Sequence, residues 1–128
     1  MTITFINLPV RDLLSAAEFY RALGFTTGHT EPDGDSMVLT VSDNTRLLLH
    51  VRSAFEAYTG VPTSDPATSR EVIVGLSAES RERVDELVDR AVVAGGESLG
   101  VGSTNGPMYM RGFRDLDGHQ WSFLHLAG

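Results

Sequence analysis

Cysteine is absent from the 128 residues, and so is lysine: all ten basic residues are arginine. The first absence excludes a disulfide framework, a thiol nucleophile and thiolate metal ligands. The second removes Schiff-base lysine chemistry, and its plainest source is genomic base composition. Positive charge is scarce overall, with a net charge of −7. A nucleic-acid binder needs a basic face to neutralise phosphates, so nucleic acid is not expected as a partner. No apolar run approaches the roughly 20 residues that cross a bilayer, and the N-terminus lacks the basic stretch and long apolar core of a signal peptide. No membrane partner is expected, and the cytoplasm is the expected compartment. What remains is ordinary globular composition, 41% apolar and 21% charged, at a length that suits one domain or two small modules sharing a core.

Hydrophobic periodicity divides the chain. Residues 2–10 (TITFINLPV) alternate as a strand, with Ile6, Leu8 and Val10 on one face and Ile3, Phe5, Asn7 and Pro9 on the other. Pro9 cannot donate to a ladder, so this end of the strand is expected at an edge. Asp12 suits a helix N-cap, Leu13, Ala16, Ala17, Phe19, Tyr20 and Leu23 follow at helical spacing, and Gly24 suits the position after the helix. Strands are expected at 25–30, 37–41 and 46–52, separated by turns at Pro32-Asp33-Gly34 and Ser42-Asp43-Asn44. In the last of these strands Leu47, Leu49 and Val51 share the face of a helix-covered core. Arg46, Leu48, His50 and Arg52 share a wetter one.

Residues 54–60 have room for one helical turn, and 61–69 (VPTSDPATS) read as a linker that can also cover a site. The pattern then repeats. A strand at 71–77 carries Glu71, Ile73, Gly75 and Ser77 on one face. A helix from Ala78 or Glu79 to Ala94 carries the stripe Val84, Leu87, Val88, Ala91 and Val92. Gly95-Gly96 stops it, a short strand covers 97–101, and GSTNG at 102–106 forms a loop. The chain ends in a hairpin, residues 108–126, turning at Asp115-Leu116-Asp117-Gly118. Both halves read β-α-β-β-β.

Several residues resemble the vicinal oxygen chelate superfamily, which includes glyoxalase I, bleomycin-resistance proteins and extradiol dioxygenases. They are Leu8-Pro9-Val10-Arg11-Asp12-Leu13 leading into Phe19-Tyr20 and Leu23-Gly24-Phe25, then Asp115-Leu116-Asp117-Gly118-His119 with Trp121. The usual form of the last motif has Pro where Leu116 stands. The resemblance covers nearly the whole chain and is nearest to short bacterial proteins labelled predicted lactoylglutathione lyases. It implies an α+β fold of two tandem β-α-β-β-β modules forming a curved mixed sheet cup with helices on the outer face. Module one spans about 1–53, a linker about 54–69 and module two about 70–128. It also implies a homodimer, because modules in this superfamily often pair across subunits.

The resemblance further implies a small molecule held in the cup, often with a divalent metal that binds two neighbouring substrate oxygens and stabilises an enediolate or similar anion. The metal-ligand positions fall on Phe5, on His50 or Leu49, on Ile73 and on Ser122, where metal-binding members carry Glu. At most one ligand survives, whereas a catalytic divalent ion normally takes three from the protein. The expectation is therefore a metal-independent protein binding a small, partly apolar molecule, with no cofactor. The alternative is a glyoxalase-type lyase or isomerase, either assisted by a divalent metal or dependent on His50. Candidate ligand-binding residues are Phe5, Asn7, Arg46, Leu48, His50, Arg52, Ile73, Tyr109, Arg111 and Ser122. His50 is either an acid/base group or a satisfied strand polar residue. Tyr109, with Met108 and Met110, either lines the cup or joins the core. Arg46, Arg52 and Arg111 either read an anionic ligand or are solvated strand-edge charges. Turn chemistry accounts for Asp115 and Asp117, and no Ser has a visible His–Asp partner.

Overall fold

The computed structural model describes residues 1–30 and 34–127. The expected Pro32-Asp33-Gly34 turn lies largely outside the described residues. The chain divides into two compact units, Met1–Ser64 and Asp65–Gly128. Each has its own mixed sheet, and the expected α+β class with a duplicated β-α-β-β-β order holds.

The first unit runs β1 (Thr4–Val10), α1 (Leu13–Ala22), β2 (Thr26–Thr30), β3 (Ser36–Ser42), β4 (Thr45–Val51) and α2 (Arg52–Thr59). Its sheet has the order β1-β4-β3-β2; β1 and β4 are parallel and the other neighbours antiparallel. Strand alternation places Leu8, Leu39, Leu47 and Leu49 on the face covered by α1, where the last three are fully buried. Asp12 caps α1 as expected, accepting the Ser15 N–H at 3.2 Å. The Ser15 hydroxyl donates to the same carboxylate and is the main cause of its lowered pKa. Tyr20 stacks on Phe25 at 5.7 Å, so the end of the helix is packed onto the residue that leads into β2.

α2 departs from the expected single turn. It has two turns and starts at Arg52, which therefore is not a strand residue. No Gly or Pro interrupts residues 52–59, Phe55 and Tyr58 stand three apart on one side, and Gly60 closes the helix at φ +76°. α2 contacts β4 and β1 on the face opposite α1.

The second unit runs β5 (Ile73–Ser77), α3 (Arg81–Val93), β6 (Glu97–Ser98), β7 (Ser103–Asn105), β8 (Met108–Arg114) and β9 (Gln120–Leu126). Its sheet has the order β5-β9-β8-β6, with β7 also paired to β8. Several boundaries move: the strand expected at 71–77 begins at Ile73, and the one expected at 97–101 ends at Ser98. The GSTNG loop contains β7, and α3 begins at Arg81 because Ser80 caps it, accepting the Arg83 N–H at 3.0 Å. Val84, Leu87, Val88 and Ala91 form its buried stripe, and Val92 lies outside it. The stripe meets Phe113, Trp121 and Phe123, three aromatic side chains stacked in series on β8 and β9.

The hairpin between β8 and β9 is tied by one carboxylate. Asp115 accepts the N–H groups of Asp117 at 3.0 Å and His119 at 2.9 Å with one oxygen, and the Trp121 indole N–H at 3.0 Å with the other. Leu116, which stands where the family pattern has Pro, reaches Gly95 at the end of α3. A Cβ on that glycine would lie 2.9 Å from the Leu116 Cδ2. The segment read as the end of a linker also docks here: the Arg70 guanidinium donates to the carbonyls of Gly118 and Pro66.

Candidate functional site

The open face of the first sheet carries Phe5, Asn7 and Pro9 from β1, Arg46, Leu48 and His50 from β4, and Ser36 and Val38 from β3. The ladder sets Pro9, His50 and Ser36 side by side on three adjacent strands. The His50 ring is held at both nitrogens. Ser36 Oγ lies 2.6 Å from Nδ1, and Asn7 Oδ1 lies 2.8 Å from Nε2. An amide oxygen only accepts, so Nε2–H donates to Asn7, and a neutral ring then accepts the Ser36 hydroxyl at Nδ1. Imidazole and hydroxyl are both buried.

α2 roofs this polar row. The Phe55 ring lies 6.2 Å from the His50 ring, and Tyr58 meets it edge-on at 5.2 Å. Between roof and sheet is a cavity of about 390 Å³ lined by Asn7, Ser36, Met37, Val38, Leu48, His50, Phe55, Tyr58 and Thr59. The far end of the roof is fastened to the chain that follows it. The Glu56 carboxylate accepts the Thr63 N–H at 2.6 Å, the main cause of its lowered pKa, and Arg52 donates to Thr63 O at 2.8 Å.

The structure brings Asn7, Leu48 and His50 together in this slot. Phe5 shares their face but is 58% exposed and does not line the cavity. Arg46 donates to the carbonyls of Ser42 at 2.6 Å and Thr45 at 3.2 Å, and Arg52 opens α2 with its side chain on Glu56 and Thr63.

In the second unit the candidates divide between two faces. Tyr109 and Arg111 sit opposite His125 and Phe123, on the face that α3 covers. The Tyr109 hydroxyl donates to Asp85 at 2.6 Å, and this bond is the main cause of its raised pKa. Arg111 pairs with Asp85 and Asp89, each at 3.2 Å. Gly102 makes room for the Tyr109 ring, which occupies the place a side chain at 102 would take. Met108 and Met110 alternate with Tyr109 and so point to the other face, as do Ser122 and Ile73. Ser122 is buried beside Gly75 and Gly112, and Ile73 is 55% exposed at the edge strand. His125 is hydrogen-bonded at 3.0 Å to Ala78 O.

Sequence reasoning missed Ser36, Met37, Val38, Phe55, Tyr58 and Thr59 as site residues. Ser36 was not legible by counting: equal steps out from the Asp43-Asn44 turn put Met37 opposite His50, and an irregularity between Thr40 and Ser42 shifts the register by one residue, to Ser36. The aromatic pair three residues apart between a strand end and Gly60 was the available signal for the roof.

The metal implied by the resemblance can be tested against the donor atoms present. Phe5 and Ile73 have none. Ser122 offers a buried neutral hydroxyl, and both His50 nitrogens are engaged by Ser36 and Asn7. Among the described residues no three His, Asp or Glu side chains are grouped to hold an ion. This donor set does not fit a divalent metal.

The duplicated β-α-β-β-β order and the two mixed sheets define the class of fold. The family model for the Glyoxalase/Bleomycin resistance protein/Dioxygenase superfamily matches residues 2–123, and the chain belongs to that superfamily. A hypothetical protein from S. aureus is similar at 29% identity and TM-score 0.84, over 98% of this chain and 94% of that one. A glyoxalase/bleomycin resistance protein/dioxygenase family enzyme from Burkholderia phytofirmans has 17% identity and TM-score 0.82, covering 98% and 99%. A lactoylglutathione lyase from Agrobacterium tumefaciens has 19% identity and TM-score 0.71, covering 97% and 92%. At these last two identities the likeness is one of fold. No curated protein matches the chain.

Proposed function

We propose that the slot between α2 and the first sheet binds a small, partly apolar molecule without a metal. The observation that carries this reading is the slot itself. It combines an aromatic roof, aliphatic walls at Val38 and Leu48, and a polar row of Asn7, His50 and Ser36. Its volume of about 390 Å³ falls in the range of roughly 300–1,000 Å³ usual for ligand sites, and such sites are mostly apolar with a few placed polar groups.

Tyr58 is the residue with which to test it, because it is 74% exposed and touches the slot without supporting the core. In a fragment-library screen by NMR, hits are expected to shift the amide signals of Asn7, Val38, His50 and Tyr58. Tyr58→Ala should weaken them by about 0.5–1.5 kcal/mol, the worth of one aromatic contact, while the thermal midpoint stays unchanged. Val93→Ala, at an exposed position on α3 in the other unit, should leave binding as it is. A library that shifts none of these signals overturns the reading. Metal content is a separate measurement. Protein purified without a His-tag is expected to contain no stoichiometric Zn, Ni, Fe or Mn, and one bound ion per chain would sink the metal-free part of the proposal.

One observation favours a second reading, metal-free acid–base chemistry of the lyase or isomerase type through His50. The Ser36 and Asn7 bonds already orient the ring, as a general base requires. A substrate would have to take the place of one partner at a ring nitrogen.

A further inference from the structure

Among the described residues, no charged side chain lines the slot. Three charged groups nearby in sequence, Arg46, Arg52 and Glu56, are turned to other work. The Arg46 guanidinium serves the carbonyls of Ser42 and Thr45, that of Arg52 serves Thr63 O and Glu56, and the Glu56 carboxylate takes the Thr63 N–H. His50 has neutral partners at both nitrogens. An ionic group entering this space would leave water and meet no carboxylate or guanidinium among the described lining residues, which is costly. The shape adds a second condition. A pleated sheet face forms one side of the slot and the rings of Phe55 and Tyr58 the other, which suits a flat molecule with π faces. The polar row adds a third. The Asn7 amide oxygen is used by His50, which leaves the Asn7 amide NH₂ to donate to whatever lies in the slot.

Resting on the reading that the slot binds a small molecule, we infer that its ligands are uncharged, planar aromatic molecules that present a hydrogen-bond acceptor, such as a carbonyl oxygen, to the Asn7 amide. Four probes of nearly equal size separate the three conditions: benzamide, benzoate, benzamidinium and cyclohexanecarboxamide. In NMR titrations that follow the amide signals of Asn7, Val38, His50 and Tyr58, benzamide should bind at least about tenfold more tightly than benzoate and benzamidinium, and at least about twofold more tightly than cyclohexanecarboxamide. Benzoate or benzamidinium binding as well as benzamide overturns the requirement for an uncharged ligand. Equal binding of cyclohexanecarboxamide overturns the requirement for a planar ring. Asn7→Asp keeps an acceptor for His50 and removes the donor, so it should weaken benzamide at least about fivefold; unchanged affinity overturns the acceptor condition. If all four probes are silent while other library fragments shift the same signals, this inference fails and the slot remains a binding site. If the whole library is silent, the slot reading fails with it.

Discussion

Replacing Asp115 by Ala should lower the stability of the second unit by about 3–5 kcal/mol, the range expected when a buried carboxylate leaves several donors without an acceptor. The carboxylate is only 7% exposed and takes three N–H donors at once. Two come from the backbone of the turn it sits in, and the third is the indole of Trp121, which is fully buried. Water cannot readily replace the carboxylate at that indole. The chain has a single Trp, so its fluorescence during urea unfolding reports on the very group that loses its partner. Asp115→Asn should fall between wild type and Ala: its one amide oxygen can meet only part of the three-donor set, and its NH₂ must face a donor. A midpoint for Asp115→Ala equivalent to less than about 1 kcal/mol would show that the turn is held by its backbone bonds alone.

The second large effect is expected at Gly118, where Ala should cost the same unit about 2–4 kcal/mol through two additive causes. The residue has φ +98°, a conformation that L side chains rarely adopt. A Cβ would also lie 3.1 Å from backbone atoms of Pro66 and Ala67, which cannot rotate aside as a side-chain tip can. Gly106 separates the causes. It has φ +61° in the same unit, with nothing within 4 Å of a Cβ. Gly106→Ala should therefore show only the conformational part, about 1–2 kcal/mol. Equal urea midpoints for the two variants would mean that residues 66–67 move away freely, contrary to the docking seen through Arg70.

These two positions also show what the sequence could and could not disclose. The Asp115-Leu116-Asp117-Gly118 turn was readable because its chemistry is local: a carboxylate bonding nearby N–H groups and a glycine at positive φ. The strand faces in both units were readable for the same reason, since alternation is a property of consecutive residues. The Trp121 bond to Asp115 and the docking of 66–70 on Gly118 were not readable, because they join groups that only the folded hairpin brings together.

The site divides the same way. Asn7, Leu48 and His50 were assigned to one face by period two and do line the slot. Arg46 and Arg52 met the same criterion, yet long side chains reach backbone carbonyls that alternation does not foresee. Tyr109 and Arg111 were grouped with Ser122, although β8 and β9 pair so that Gly112 lies opposite it; the two flanking residues therefore point the other way, toward Asp85 on α3. The α2 roof was shortened because the residues from 54 onward were read with the Pro- and Ser-rich stretch that follows.

The row of Ser36, His50 and Asn7 has a consequence for how the chain finds its own pairing. β1 and β4 are parallel and far apart in sequence, so no tight turn fixes their alignment. Three consecutive leucines in β4 blur the alternation that would otherwise mark its two faces, and a slip of one residue turns each side chain over. Here such a slip in β4 would carry an imidazole into the layer of Leu8 and Leu39 under α1, away from the hydroxyl and amide that satisfy it. The three polar groups thus penalise misaligned sheets before any ligand is present. They act as an internal proofreading device for strand assembly as well as the floor of the slot.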